Sequence, residues 1–239
     1  MLIFDDFFTI YASQISFALL FTASITLIGS ALAFKITRRK NRLKTFAAKN
    51  ELGYRYTAEY YIRHLAGMPL AKNNPANRMR NFLSGGMLEN AVYFDFFCRV
   101  PVTLEWFSQS VVCFHAEYDL PDFYLMPKEA PFRVPAAAGR VRMSRDFDAK
   151  YSLYSTNPIR ARALFLRGPE NFFCNERGWS VEFRHNKTLV YRSGVLYSAF
   201  LLADFINKAF EVYLMTVWVP SSPNPAQTPS PADSARASA

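Results

Sequence analysis

The stretch ISFALLFTASITLIGSALAF, Ile15 to Phe34, decides how the rest of the chain is read. Its 20 residues include no charge, and Ser16, Thr22, Ser24, Thr26 and Ser30 are its weakly polar members. As a helix rising about 1.5 Å per residue it reaches about 30 Å, the thickness of a bilayer's hydrocarbon core. A buried helix of a soluble domain normally carries a polar stripe, whereas these hydroxyls can bond back to carbonyls of the preceding turn. The reading is a transmembrane helix over 15–34.

The next stretch, KITRRKNRLKTFAAK, Lys35 to Lys49, carries seven basic residues and no acidic one. The first 14 residues carry Asp5 and Asp6 but neither Lys nor Arg. Positive charge in short flanks marks the side retained in the cytoplasm. The expected topology is therefore a single pass through a bacterial-type inner membrane, with a short outer N-terminus over 1–14 and the bulk of the chain in the cytoplasm. Ala31-Leu32-Ala33 matches the small-x-small pattern of a signal-peptidase site. The acidic N-terminal flank, the long apolar run and the basic block behind it favour an uncleaved anchor.

The formal net charge of +9 suggests a nucleic-acid binder until the charges are located. Between Glu51 and Val219 there are 20 basic and 16 acidic residues, so the excess is juxtamembrane rather than domain-wide. Nucleic acid is accordingly not expected as a partner. Membrane lipids are, with Lys35, Arg38, Arg39, Lys40, Arg42 and Lys44 as the headgroup contacts, and an unknown protein partner is compatible with the sequence.

Aromatic residues make up 16% of the chain, with 23 Phe and 13 Tyr, which requires a substantial core and excludes disorder through the middle. Leu43, Phe46, Ala47 and Leu52 keep helical spacing, so a basic helix over 35–52 continues the anchor and stops at Gly53. Thr57 is placed to cap a short helix from Ala58 to about Ala66, which Gly67, Pro69 and Asn73-Asn74-Pro75 then break. Val92 to Cys98 and Val111 to Ala116 alternate as strands. Trp179 to Arg184 and Thr188 to Arg192 read as a hairpin around His185-Asn186-Lys187, Arg140 to Ser144 as a further strand, and the run after Pro158 as a short helix. Gly85-Gly86 reads as a turn.

Val195 to Val217 is apolar except for Asp204, Asn207, Lys208 and Glu211, which share one stripe. It is expected to be a helix laid on a sheet, with Asp204 and Lys208 paired, rather than a second crossing. Beyond Val219 the Pro/Ser/Ala-rich stretch, 219–239, is expected to be disordered. The fold class is thus α+β: one transmembrane helix, an antiparallel sheet domain over 53–218, a C-terminal packing helix and a tail.

No phosphate loop, metal-ligand spacing or Cys-x-x-Cys pair occurs, and no cofactor or metal is expected. Cys98, Cys113 and Cys174 fit a reducing compartment as small buried side chains. Cys113, His115 and Glu117 form the one chemical constellation, facing one side of a strand at about 6.6 Å intervals. They would serve a thiol hydrolase if the imidazole reached the thiol. Tyr54-Arg55-Tyr56 and Tyr60-Tyr61-Ile62-Arg63 interleave aromatic and basic residues in a manner suited to packing near the membrane.

At Leu120-Pro121-Asp122-Phe123-Tyr124-Leu125-Met126-Pro127, with Tyr93-Phe94-Asp95-Phe96-Phe97 before it and Phe147, Tyr151-Ser152-Leu153 and Arg160 to Phe165 after it, the chain resembles an uncharacterised group of bacterial membrane-anchored proteins. The resemblance covers roughly 43–214 and implies no activity, cofactor or site residue. Read physically, Leu120-Pro121-Asp122 ends a strand, Phe123 and Leu125 re-enter the core, and Asp122 is a candidate ligand contact. Two function classes stand beside the leading one, a non-enzymatic tethered binding or scaffold domain. They are the thiol hydrolase and a module sensing anionic lipid.

Overall fold

The computed structural model describes residues 2–71, 77–99, 106–115, 118–130 and 134–217, with side chains from residue 17 onward except that of residue 99. The first element, α1 (Leu2–Lys49), is one unbroken helix of 48 residues. Its most apolar stretch reaches a mean hydropathy of 2.0, and none of that stretch is buried within the protein. The polar side chains there close on the helix itself: Thr22 donates to the carbonyl of Ala18 at 2.9 Å, Ser24 to Leu20 at 2.8 Å and Thr26 to Thr22 at 2.8 Å. No donor is left facing the surroundings by these residues, which suits a lipid environment. Further along the same helix Leu43 and Ala47 are fully buried.

The strands are β1 (Gly53–Thr57), β2 (Arg78–Gly85), β3 (Leu88–Arg99), β4 (Trp106–His115), β5 (Phe123–Pro127), β6 (Gly139–Val141), β7 (Tyr151–Ser155), β8 (Trp179–Arg184) and β9 (Lys187–Arg192). They form one sheet in the order β1-β2-β3-β4-β9-β8-β5-β7-β6, with antiparallel neighbours throughout. The helices α2 (Glu59–His64), α3 (Arg145–Lys150), α4 (Pro158–Phe165), α5 (Pro169–Asn175) and α6 (Leu202–Val217) complete the described chain. The architecture is the expected α+β one, an apolar N-terminal helix, an open antiparallel sheet and a C-terminal helix.

Alternation in β3 and β4 sends side chains to two separate cores. On one face Tyr93, Val112 and Phe114 meet Leu43 and Ala47 of α1 and Phe205, Ala209 and Val212 of α6. On the other face Phe94, Phe96, Val111 and Cys113 meet Tyr61, Leu65, Met68 and Leu70, which form a lid of α2 and the segment after it. Covering both faces explains how so aromatic a chain buries its rings.

Two turns and one bulge fix register. At β8–β9, His185 and Asn186 both take positive φ (48° and 61°), the requirement of a two-residue turn matched to strand twist, and Lys187 opens the next strand. At β2–β3, Gly86 has φ +52°, and a Cβ there would lie 2.7 Å from the carbonyl oxygen of Asn50. This glycine lets the hairpin close on the end of α1. In β2, Asn81 (φ 52°) sits at a bulge that breaks the pairing with β3 between Arg80 and Leu83.

Several expectations change. Thr57 is the last residue of β1, opposite Arg80, and α2 starts after Ala58 with no side-chain cap. Leu120-Pro121-Asp122 precedes a strand rather than ending one, because β5 begins at Phe123; Phe123 and Leu125 are in the core as expected. Lys208 pairs with Glu176 at 2.8 Å and Glu211 at 3.0 Å instead of with Asp204. The Asn73-Asn74-Pro75 cluster, Glu117 and the stretch beyond Val217 lie outside the described residues.

The two ends of the sheet are defined by α1. Arg39 lies against Asp95 of β3, while the carbonyls of Asn50 and Glu51 abut Gly86 at the start of that strand. Advancing from Leu88 to Arg99 along β3 therefore follows α1 back towards its apolar half. Helix α6 runs the opposite way along the strands, since Phe205 packs near Tyr93 and Tyr213 stacks on Phe114, whose partner is Ala91.

Candidate functional site

The junction between the apolar helix and the sheet is a polar cluster. Arg39 donates from Nε and Nη2 to the two carboxylate oxygens of Asp95, each at 2.7 Å, and from Nη1 to the carbonyl of Tyr197 at 2.7 Å. Asp95 is fully buried and also accepts from Asn81 at 2.7 Å and from the hydroxyl of Tyr93. Tyr54 donates to the carbonyl oxygen of the Asn81 side chain at 2.8 Å, so the bulge in β2 aims one amide at two partners. Burial alone would lower the pKa of Arg39, but the hydrogen bonds and charge of Asp95 outweigh it and the value is raised. Tyr93 is pushed well above the ordinary phenol range, first by burial and then by Asp95. The cluster is thus a cation, an anion and neutral hydroxyls holding α1 to β3.

The six basic residues expected at headgroups divide into three groups. Arg39 turns inward to Asp95. Lys40 lies over the Tyr56 ring at 4.6 Å and Lys44 over Tyr54 at 5.8 Å, cation–π contacts that set Tyr54 and Tyr56 beside α1. Lys35, Arg38 and Arg42 stay exposed and line a small concavity with Arg39, Ser198 and Ala199.

Cys113 and His115 do face one side of β4, and both meet Tyr61 of α2. The Tyr61 hydroxyl lies 2.6 Å from Nε2 of His115 and 3.6 Å from the sulfur of Cys113. It stands between imidazole and thiol. Cys113 is fully buried, and burial pushes its pKa up to about 12, so the neutral thiol prevails near pH 7. The imidazole is shifted downward by burial, Lys187 and His64. Among the described residues no group of three or more His, Cys, Asp or Glu could hold a metal ion. Asp122, the other candidate contact, faces Arg184 at 3.6 Å.

Two features carried no readable sequence signal. Glu182 of β8 is fully buried, accepting from the backbone N–H of Leu70 at 3.1 and 3.2 Å and from Tyr191 at 2.6 Å. Burial wins over these donors and lifts its pKa to about 7. In a strand, Glu182 looks like an ordinary solvent-facing residue until the lid over it is known. The second feature is a groove of about 970 Å³ at the end of the sheet away from the apolar helix, between α6 and the β2–β3 and β8–β9 turns. Phe114, Phe210, Tyr213 and Leu214 give it apolar walls, and Glu89 and Lys187 a charged rim. Phe210 is 49% exposed there and adds apolar surface to the opening.

No family model matches the chain, and no curated protein matches it. Among solved structures the fold is similar to that of the mycobacterial trehalose monomycolate transport factor A, TtfA, known from a crystal structure. The TM-score is 0.56 at 16% sequence identity, over 76% of this chain and 97% of that one. At that identity the likeness is one of fold.

Proposed function

We propose that the chain is a membrane-tethered binding or scaffold domain, held on the cytoplasmic face of a bacterial inner membrane by α1 and meeting its partner in the groove beside α6. One observation carries this reading: a single helix has one half that nothing among the described residues covers and another half locked into the core. The basic residues that follow the apolar run support the orientation. The structural neighbour is named as a transport factor for trehalose monomycolate. A role of that general kind, with a lipid or a protein as partner, fits a tethered domain with an apolar groove. The thiol-hydrolase alternative is less well supported, because Cys113 is buried and neutral and Tyr61 occupies the approach of His115.

Two measurements test the proposal. A reporter active only in the cytoplasm, fused after Val219, should give signal while one active only outside should not; the reverse overturns the topology. A photo-reactive residue at the exposed Met87 position should give adducts in cells that disappear with Phe210→Asp. Adducts that persist in the variant would remove the groove from the reading.

A further inference from the structure

The end of the domain nearest the apolar helix holds an assembly that the groove does not explain. The loop between β9 and α6 returns to α1, and its backbone is fixed there. The carbonyl of Tyr197 accepts from Arg39 at 2.7 Å, the N–H of Tyr197 donates to Ser110 at 3.0 Å, and the carbonyl of Val195 accepts from the N–H of Ser110 at 2.9 Å. Immediately beyond, Ser198 and Ala199 join Lys35, Arg38, Arg39 and Arg42 around a concavity of about 140 Å³. Among the described residues no acidic one lines it. Arg39 is neutralised by Asp95, whereas Lys35, Arg38 and Arg42 take part in none of the ion pairs among the described residues. Next in the chain, Phe200 is 90% exposed and Leu201 is 45% exposed.

We infer that this concavity is a site for the phosphate of an anionic phospholipid, with Phe200 as an apolar wedge entering the bilayer beside it. The inference rests on α1 being a membrane span. Measured along that helix from Phe34, Lys35 and Arg38 stand about 1.5 and 6 Å beyond the apolar run, and Arg42 about 12 Å. The headgroup layer occupies roughly 5 to 8 Å on each side of the hydrocarbon core, so Lys35 and Arg38 stand within it and Arg42 lies just beyond, where its long side chain can reach back to the layer. Arg38 and Arg42, one helical turn apart, lie on one face of α1 and both line the concavity, so their guanidinium donors are available to one phosphate. Lys35 adds a third positive charge to the lining, and Ser198 lies beside it. Phe200, almost wholly exposed on a loop pinned by three hydrogen bonds, is an apolar side chain of the kind that enters the boundary between headgroups and acyl chains. Trp106, 62% exposed and opposite Arg99 at the same end of the sheet, gives a second interfacial ring.

The test uses the full chain in nanodiscs of phosphatidylcholine alone or with phosphatidylglycerol added. Native mass spectrometry should find phosphatidylglycerol retained on the released protein. The Arg38→Gln, Arg42→Gln double variant should retain it roughly thirtyfold less, the combined effect of two basic side chains near an anionic surface. Inorganic phosphate should not displace it. Separately, a Phe200→Trp, Trp106→Phe chain should be quenched by lipids brominated near the headgroup end of the acyl chain beyond the quenching of the Trp106→Phe chain, in which Trp179 and Trp218 supply the background. These side chains lie on the surface, so the variants should melt like the parent. Equal lipid retention by the double variant, displacement by inorganic phosphate, or an unquenched Trp at position 200 in an embedded chain would each overturn the site while leaving the anchor intact. A chain that fails to enter nanodiscs would overturn the anchor as well.

Discussion

Arg39 of the long helix and Asp95 of the third strand, 56 positions apart, are joined by two parallel hydrogen bonds of 2.7 Å each. The aspartate has no access to solvent and depends on this guanidinium for its counter-charge. Removing one member of such a pair leaves a buried charge uncompensated, at a cost of about 3–5 kcal/mol. Arg39→Ala should therefore lower the unfolding midpoint sharply, and Arg39→Lys should recover only part of the loss because an ammonium cannot form the fork. Unfolding curves for the two variants that match the parent would show that the helix is held by its apolar contacts alone.

Glu182 predicts a pH dependence whose sign follows from its surroundings. Its carboxyl is held at about 7 against an ordinary 4.5, so the folded protein binds this proton more tightly than the unfolded chain does. The resulting stability is complete below about pH 4.5 and is lost as pH rises through about 7, with a size on the order of 3 kcal/mol. Glu182→Gln should remove this loss, so that the variant gains on the parent between pH 5 and 8. Chemical denaturation at a series of pH values measures the difference, which cancels the opposite contribution of the downshifted His115. Parallel pH profiles for parent and variant would mean that Glu182 is charged in the folded state across that range.

The cysteines give an independent check on the lid formed by α2. Cys174 is partly exposed, while Cys98 and Cys113 are buried. An alkylating reagent at neutral pH should modify Cys174 first and leave Cys113 unreacted until the protein is unfolded, because both access and thiolate are lacking. Tyr61→Ala, which takes away the ring over Cys113, should accelerate its labelling. Rapid labelling of Cys113 in the intact parent would return the hydrolase reading to first place.

Much of the architecture was legible in the residues because it obeys a single period. The uncharged run ending at Phe34, the alternation in β3 and β4, the hairpin around His185-Asn186 and the one-sided stripe of α6 each have one dominant pattern. Strand β2 hides because the bulge at Asn81 shifts its alternation midway. Strand β5 hides because Phe123, Tyr124, Leu125 and Met126 are all buried, leaving a continuous apolar run with no period. The polar sites are harder still. Nothing near Arg39 announces Asp95, and Glu182 acquires its meaning from Leu70, 112 positions away. The alternation did place Cys113 and His115 together, but the hydroxyl between them comes from Tyr61 of α2.

The sheet does not close, and its two rims have consequences for life on a surface. Proteins confined to a plane meet one another often, and a bare strand edge at that density is an invitation to join sheets end to end. One rim, β6, is three residues long. The other, β1, is five residues long, bears the exposed Arg55 at its centre and has Lys40 over its Tyr56. Short and cationic margins resist the sideways addition of a strand. Copies of the protein can therefore crowd together without their sheets fusing.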